Sequence, residues 1–303
     1  MKIKEWGAFA LLGLIWGSSF LWIKIAVGNV SPFVVVAFRV LFGLISLLAV
    51  MYWQRQAIPR DRSTLLKYLF MGVFNVVVPF LLITWGETHI DSSLAAILNA
   101  TTPLFVIVIA HFGLHDEKIT VPRLAGLLVG FVGVIVLVSR DFRPEALQSD
   151  LLGQLAVLLA ALSYAVALIF SRRQLRNAKP VVQSTMILVF ATAIMWVVTP
   201  VVERPLVLPT QPLAWLAVLW LGVLGLCVAY LLFFWLNNVW GPTRASLVTY
   251  IFPVVGVFLG IIFLNEVPDW NMVIGSALVV AGIVVVNLKL RASPAVSIAP
   301  AAK

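Results

Sequence analysis

The chain has 303 residues, 62% of them hydrophobic and 11% charged, with a net charge of +9 and a mean hydropathy of +1.07. A soluble domain carries about 25% charged residues, so this composition leaves too little polar surface for a water-soluble particle and reads as an integral membrane protein. A single cysteine, Cys227, excludes an intramolecular disulfide and any paired-thiol chemistry.

A hydrocarbon core of about 30 Å takes about 20 apolar residues of helix. Segments of that kind are expected at 7–27, 32–52, 66–86, 92–112, 123–139, 152–171, 181–201, 213–235, 244–264 and 270–288. The expected fold is therefore an all-α integral membrane protein of ten transmembrane helices with short connections. The first segment follows Lys2 and Lys4 as a signal peptide would, but it is long and lacks a small-residue cleavage site, so it reads as a retained helix. In the second, Arg39 lies about seven residues in, roughly 10 Å below the membrane boundary. In the third, Asn75 stands four residues before Pro79. In the fourth, Ser92, Ala95, Ala96, Asn99 and Thr102 share a small, polar face that lipid would not favour, and Pro103 sits near the middle. Pro253 holds the same place in the ninth.

Residues 80–137 recur as residues 230–286. At an offset of 150, Leu81, Leu82, Trp85, Ala95, Pro103 and Leu114 meet Leu231, Leu232, Trp235, Ala245, Pro253 and Leu264. One residue is then lost, and Glu117, Gly126 and Gly133 meet Glu266, Gly275 and Gly282. The expected units are residues 1–145 and 146–291, five helices each, with 292–303 as a flexible tail. With a cytoplasmic N-terminus, sixteen of the Lys and Arg residues fall on the inner side, against Arg140, Arg143 and Arg204 on the outer side. Both termini are then cytoplasmic, and the positive charge is a topology signal rather than a nucleic-acid site. Five crossings per half make the second half enter from the opposite side. That is an inverted-topology repeat, the architecture of many secondary transporters.

These features together resemble the EamA-type drug/metabolite transporters. The resemblance rests on Trp16-Gly17-Ser18-Ser19-Phe20 in the first helix, Pro32 followed by Arg39 in the second and the proline-centred fourth and ninth helices. The Glu117 and Glu266 turns and the glycine-spaced fifth and tenth helices complete it. It implies export of small metabolites, often amino acids, through a central cavity between the halves, in the cell (inner) membrane. The second half departs from the pattern, with Ser163-Tyr164-Ala165 near the place of the tryptophan-glycine-serine motif. A channel-like passive facilitator and a broad-specificity drug exporter are the alternatives.

Candidate substrate-binding residues are Trp16, Ser19, Arg39, Asn75, Asn99, Thr102, Tyr164, Tyr230, Thr249 and Tyr250, with Pro79, Pro103 and Pro253 as hinges. A proline inside a helix lacks a donor and displaces the carbonyl four residues earlier. That frees the carbonyls of Asn99 and Thr249, which protein or water must then satisfy at membrane depth; Asn75, a polar group at depth four residues before Pro79, resembles the same hinge logic. Arg39 has two roles open to it, binding a substrate carboxylate or pairing with helix-end carbonyls; an ionisable group at depth is by default functional. Lys24, nearer its helix end, is expected to snorkel to the headgroups. Trp16, Tyr164 and Tyr230 are either core packing or cavity wall. The carboxylates all fall at helix ends or in loops, so the buried acid of a proton-coupled antiporter is not expected. Paired carboxylates for hydrolysis, a metal site at His89, His111 and His115, and a nucleotide-binding loop are not expected either. The chain reads as a transporter of a small molecule in the lipid bilayer, not an enzyme, with no cofactor; a monomer is compatible with it.

Overall fold

The computed structural model describes residues 3–113, 121–139, 150–175, 178–240, 248–249 and 251–287. Among these there are helices and connecting turns and no strand. The helices are α1 (Ile3–Val27), α2 (Pro32–Trp53), α3 (Arg62–Gly72), α4 (Val78–Gly86), α5 (Ser92–Asn99), α6 (Thr102–Gly113), α7 (Val121–Ser139) and α8 (Asp150–Gln174). They continue as α9 (Pro180–Val202), α10 (Pro212–Leu219), α11 (Ala229–Trp240), α12 (Ile251–Leu264) and α13 (Trp270–Asn287). Seven helical runs are long and apolar enough to cross a membrane: Ile3–Val27, Pro32–Trp53, Arg62–Gly86, Ser92–Gly113, Asp150–Gln174, Pro180–Val202 and Pro212–Phe233. Shorter apolar helices at Leu124–Leu137, Ile251–Leu264 and Trp270–Gly282 fall on the three remaining expected segments. This is a multi-pass membrane protein. Trp6, Trp53 and Trp270, near helix ends, are 52%, 83% and 78% exposed, as an interfacial belt requires.

Two runs depart from α geometry. Val73–Val77, between α3 and α4, and Trp220–Val228, between α10 and α11, are π-helical. They occupy corresponding places in the sequence repeat, where Val73 meets Val223. The first explains how Pro79 is tolerated, and it corrects the expectation drawn from α spacing. The Val78 N–H bonds the Val73 carbonyl, five residues back. In that register the carbonyl left without a donor is that of Phe74, whose partner would be Pro79. The Ser163 hydroxyl of α8 donates to it at 2.7 Å.

The other prolines also sit differently from expectation. Helical pairing is interrupted at Ala100 and Thr101, and Pro103 is the second residue of the restarted helix α6. Pro253 is the third residue of α12. In a first turn a proline's missing N–H has no intrahelical partner to lose, so Pro103 begins a helix rather than bending an unbroken one. The Asn99 carbonyl, freed as expected, accepts from the Thr102 hydroxyl at 2.7 Å.

Glycines set the close approaches. A Cβ on Gly282 would run into Gly126 and Gly130, and one on Gly133 into Gly275 and Val279, which locks α7 to α13 backbone to backbone. Gly13 and Gly17 receive Ile251 and Val255 of α12, and Gly256 receives Ala96 of α5. Helix α5 is buried all round, so the small face expected of it does face protein.

Candidate substrate site

Three apolar clusters make up the core. Trp16 packs against all three, and Tyr164 packs against the two larger ones, so these residues stand where the clusters meet. The Trp16 ring lies edge-on to Tyr230 and Phe252, at centroid distances of 6.3 and 6.2 Å, and 5.3 Å from Phe233. Its Nε1 donates to the Gly225 carbonyl at 2.9 Å, inside the second π run. In each half, then, a π run offers a carbonyl to a side chain from the other half: Gly225 to Trp16, and Phe74 to Ser163.

Arg39 is 6% exposed and its guanidinium lies 3.8 Å above the Phe80 ring, a cation–π contact made out of water. Its Nε is buried with no hydrogen-bond partner among the described residues. Tyr164, Tyr230 and Glu87 are the groups that act on its charge. Asn75 donates from its side-chain amide to the Tyr230 hydroxyl at 3.3 Å. Of the expected site residues, Trp16, Arg39, Asn75, Tyr164 and Tyr230 are thus brought together, with Phe80 added by the fold. The arrangement is a cationic, hydrogen-bonding point in an aromatic surround.

The other expected residues lie apart from this group or are otherwise engaged. Ser19 is buried and bonds back to the carbonyl of Ile15 in its own helix at 3.2 Å. Asn99 and Thr102 form their own pair at the α5–α6 break; Asn99 Oδ1 is buried there without a hydrogen bond. Thr249 is half-buried in a short turn at 248–249, and Tyr250 lies outside the described residues, as does Glu117.

Polar contacts that spacing did not reveal join the turn after α12 to the start of α5. After α12, Asn265 takes a φ of 55°, a left-handed conformation that asparagine tolerates, and the Glu266 N–H returns to the Gly260 carbonyl. This turn aims the Glu266 carboxylate at the first residues of α5. It accepts from the Ser92 N–H at 2.8 Å, the Ser92 hydroxyl at 2.7 Å, the Ser93 N–H at 3.0 Å and the Ser93 hydroxyl. Asp91, at the usual capping position, makes no capping bond, so Glu266 from the distant turn satisfies these N-terminal donors. Gly260 leaves the room: a Cβ there would meet both Glu266 and Ser93.

Lys24 closes the neighbouring turn. Its ammonium donates to the carbonyls of Glu87 and Ile90, at 2.7 Å each, so it caps the end of α4 instead of snorkelling. Orphan carbonyls at a helix C-terminus are strong acceptors within its reach. Glu87 is at a helix end as expected, yet it is fully buried, and this overturns the expectation that no buried acid exists. The chain around it, not its position in sequence, provides the burial.

The EamA-like transporter family matches residues 5–139 and again 151–288. An uncharacterized transporter of Bacillus subtilis (strain 168), YoaV, is 28% identical over 271 residues, covering 89% of this chain and 92% of its own length. The protein PagO of Salmonella typhimurium is 26% identical, covering 83% of this chain and 82% of its own. The uncharacterized inner membrane transporter YedA of Escherichia coli (strain K12) is 27% identical, with coverages of 84% and 81%. A solved crystal structure superposes with a TM-score of 0.68 at 22% identity, over 95% of this chain and 97% of the other, a likeness of fold. With its family matched twice along nearly its whole length, and transporters rather than enzymes among its relatives, the chain belongs to the EamA-like transporter family.

Proposed function

We propose that the chain is a secondary transporter that exports a small organic metabolite, an amino acid or a similar amphiphile, by alternating access. In this reading ten helices cross the membrane as two inverted halves, residues 1–145 and 146–291, with both termini in the cytoplasm of a cell whose inner membrane holds the protein. The doubled family match and the paired π runs support it. The observation that carries it is Arg39, a buried guanidinium with an unpartnered Nε among aromatic rings. A buried charge is costly unless it is paired, so an anion that visits for part of a cycle is its natural complement. Lys24 already spends its ammonium on carbonyls. One free cation balances one carboxylate, which favours a zwitterion or monoanion over a diphosphate. Trp16, Tyr164 and Tyr230 would hold the apolar body or face its ammonium. The Glu266 contacts then lie at the outer side, and their release, with movement at Pro79, Pro103 and Pro253, would open it.

Proteoliposomes of the full chain test this with a labelled mixture of the neutral amino acids. Uptake is expected to saturate and to accelerate when unlabelled mixture is loaded on the opposite side. A hydrogen bond to a charged group is worth about 1.5–3 kcal/mol, so Arg39→Ala should weaken apparent affinity roughly 10- to 100-fold. Linear, unaccelerated flux would mean a passive facilitator, and flux indifferent to Arg39→Ala would remove the site.

A further inference from the structure

The turn after α4 carries a carboxylate that the substrate site does not use. Glu87 is 0% exposed, and neither of its carboxylate oxygens has a hydrogen-bond partner among the described residues. A carboxylate so placed is costly when charged and is relieved by a proton. The charges acting on it are Lys24 from α1, Glu266 from the α12–α13 turn and Arg39 from α2. His89 and Asp91 share its own turn, and α8, packed against α4, brings Asp150 in its first turn and the buried Gln154. Lys24 is turned to backbone carbonyls and Arg39 to the Phe80 ring, so neither cation bonds the acid. Glu87 lies beyond the end of the apolar run at Gly86. Its burial pushes its pKa well above the ordinary carboxylate range; Lys24 and Arg39 pull the other way, and Glu266 adds to the rise.

The Glu266 contacts hold the N-terminus of α5, five residues further along the chain, against this turn. We propose that Glu87 is a proton-binding site coupled to transport, loaded when the turn opens to water and carried while it is closed. A hydronium gives its proton to a carboxylate oxygen and leaves water; the reverse step returns the proton to water, and no electrons move. This rests on the transport reading above and adds a coupled proton to it. A substrate carboxylate on Arg39 would cancel the cation that favours ionised Glu87, so substrate and proton bind with positive coupling.

Two measurements on the full chain in liposomes decide it. Infrared spectra followed from the ordinary carboxylate range upward in pH should contain the C=O stretch of a neutral carboxylic acid that Glu87→Gln lacks; identical spectra in this band throughout would overturn the proposal. An imposed pH gradient should raise uptake of the labelled neutral amino-acid mixture several-fold. Glu87→Gln should lose that response while still exchanging label at equal pH. A gradient response that survives Glu87→Gln would overturn the proposal while leaving the transport reading intact. Absence of exchange at equal pH in the unaltered protein would instead sink the transport reading, and the coupling with it.

Discussion

Glu87 and Glu266 belong to different halves of the sequence, act on each other electrostatically and are treated in opposite ways. Glu266 receives two N–H and two hydroxyl donors from the start of α5. Glu87 receives none among the described residues. A carboxylate with four donors is a strut, because moving it exposes or strands every partner. One with no donors holds nothing in place and is free to trade a proton. Both stand at helix ends in the sequence, and only the elements folded around them separate the two roles.

Substitutions should separate them as well. Glu266→Ala strands the donors at Ser92 and Ser93, and a buried donor left unpaired costs about 1–3 kcal/mol. It should give the largest loss of thermal stability in detergent, with Glu266→Gln, which keeps one acceptor oxygen, in between. Equal melting of Glu266→Ala and the unaltered protein would deny the strut. Lys24→Met removes two bonds to carbonyls and the cation beside Glu87, so a smaller loss, about 2 kcal/mol, is expected.

Glu87→Gln should change the pH dependence more than the stability itself. Because burial raises its folded pKa above the unfolded one, the folded protein holds a proton that the unfolded chain gives up. Stability is therefore greatest at and below the ordinary carboxylate range and falls as pH rises toward the folded value. Melting temperature against pH should fall across that window in the unaltered protein and stay flatter in Glu87→Gln, which becomes the more stable of the two at the alkaline end. Parallel curves would contradict the burial. The smallest effect, about 1 kcal/mol, is expected from Thr102→Val, which removes one hydroxyl bond to the Asn99 carbonyl.

Much of this was legible from local features. Apolar length placed the helices, and the small residues of α5 marked a buried face. Composition at depth picked out Trp16, Arg39, Asn75, Tyr164 and Tyr230, which converge. Three features were not legible, each for the same reason. The shift to π register before Pro79 is completed by Ser163 of α8, the cap on α4 comes from Lys24 of α1, and the N-terminal donors of α5 are met by Glu266. Each depends on a partner more than sixty residues away, which no local pattern names. The sequence repeat did carry one usable hint: a π run in one copy predicts one in the other, even where Pro79 has no counterpart and Ala229 stands in its place.

In the proposed cycle, parting Glu266 from α5 is a step of transport. A Ser93→Cys/Glu266→Cys pair, in a Cys227→Ala background, measures it by counterflow of the labelled neutral amino-acid mixture in proteoliposomes. Oxidation to the disulfide is expected to stop counterflow and reduction to restore it, while the single-cysteine controls ignore both treatments. Counterflow that continues unabated through the cross-linked protein would contradict it.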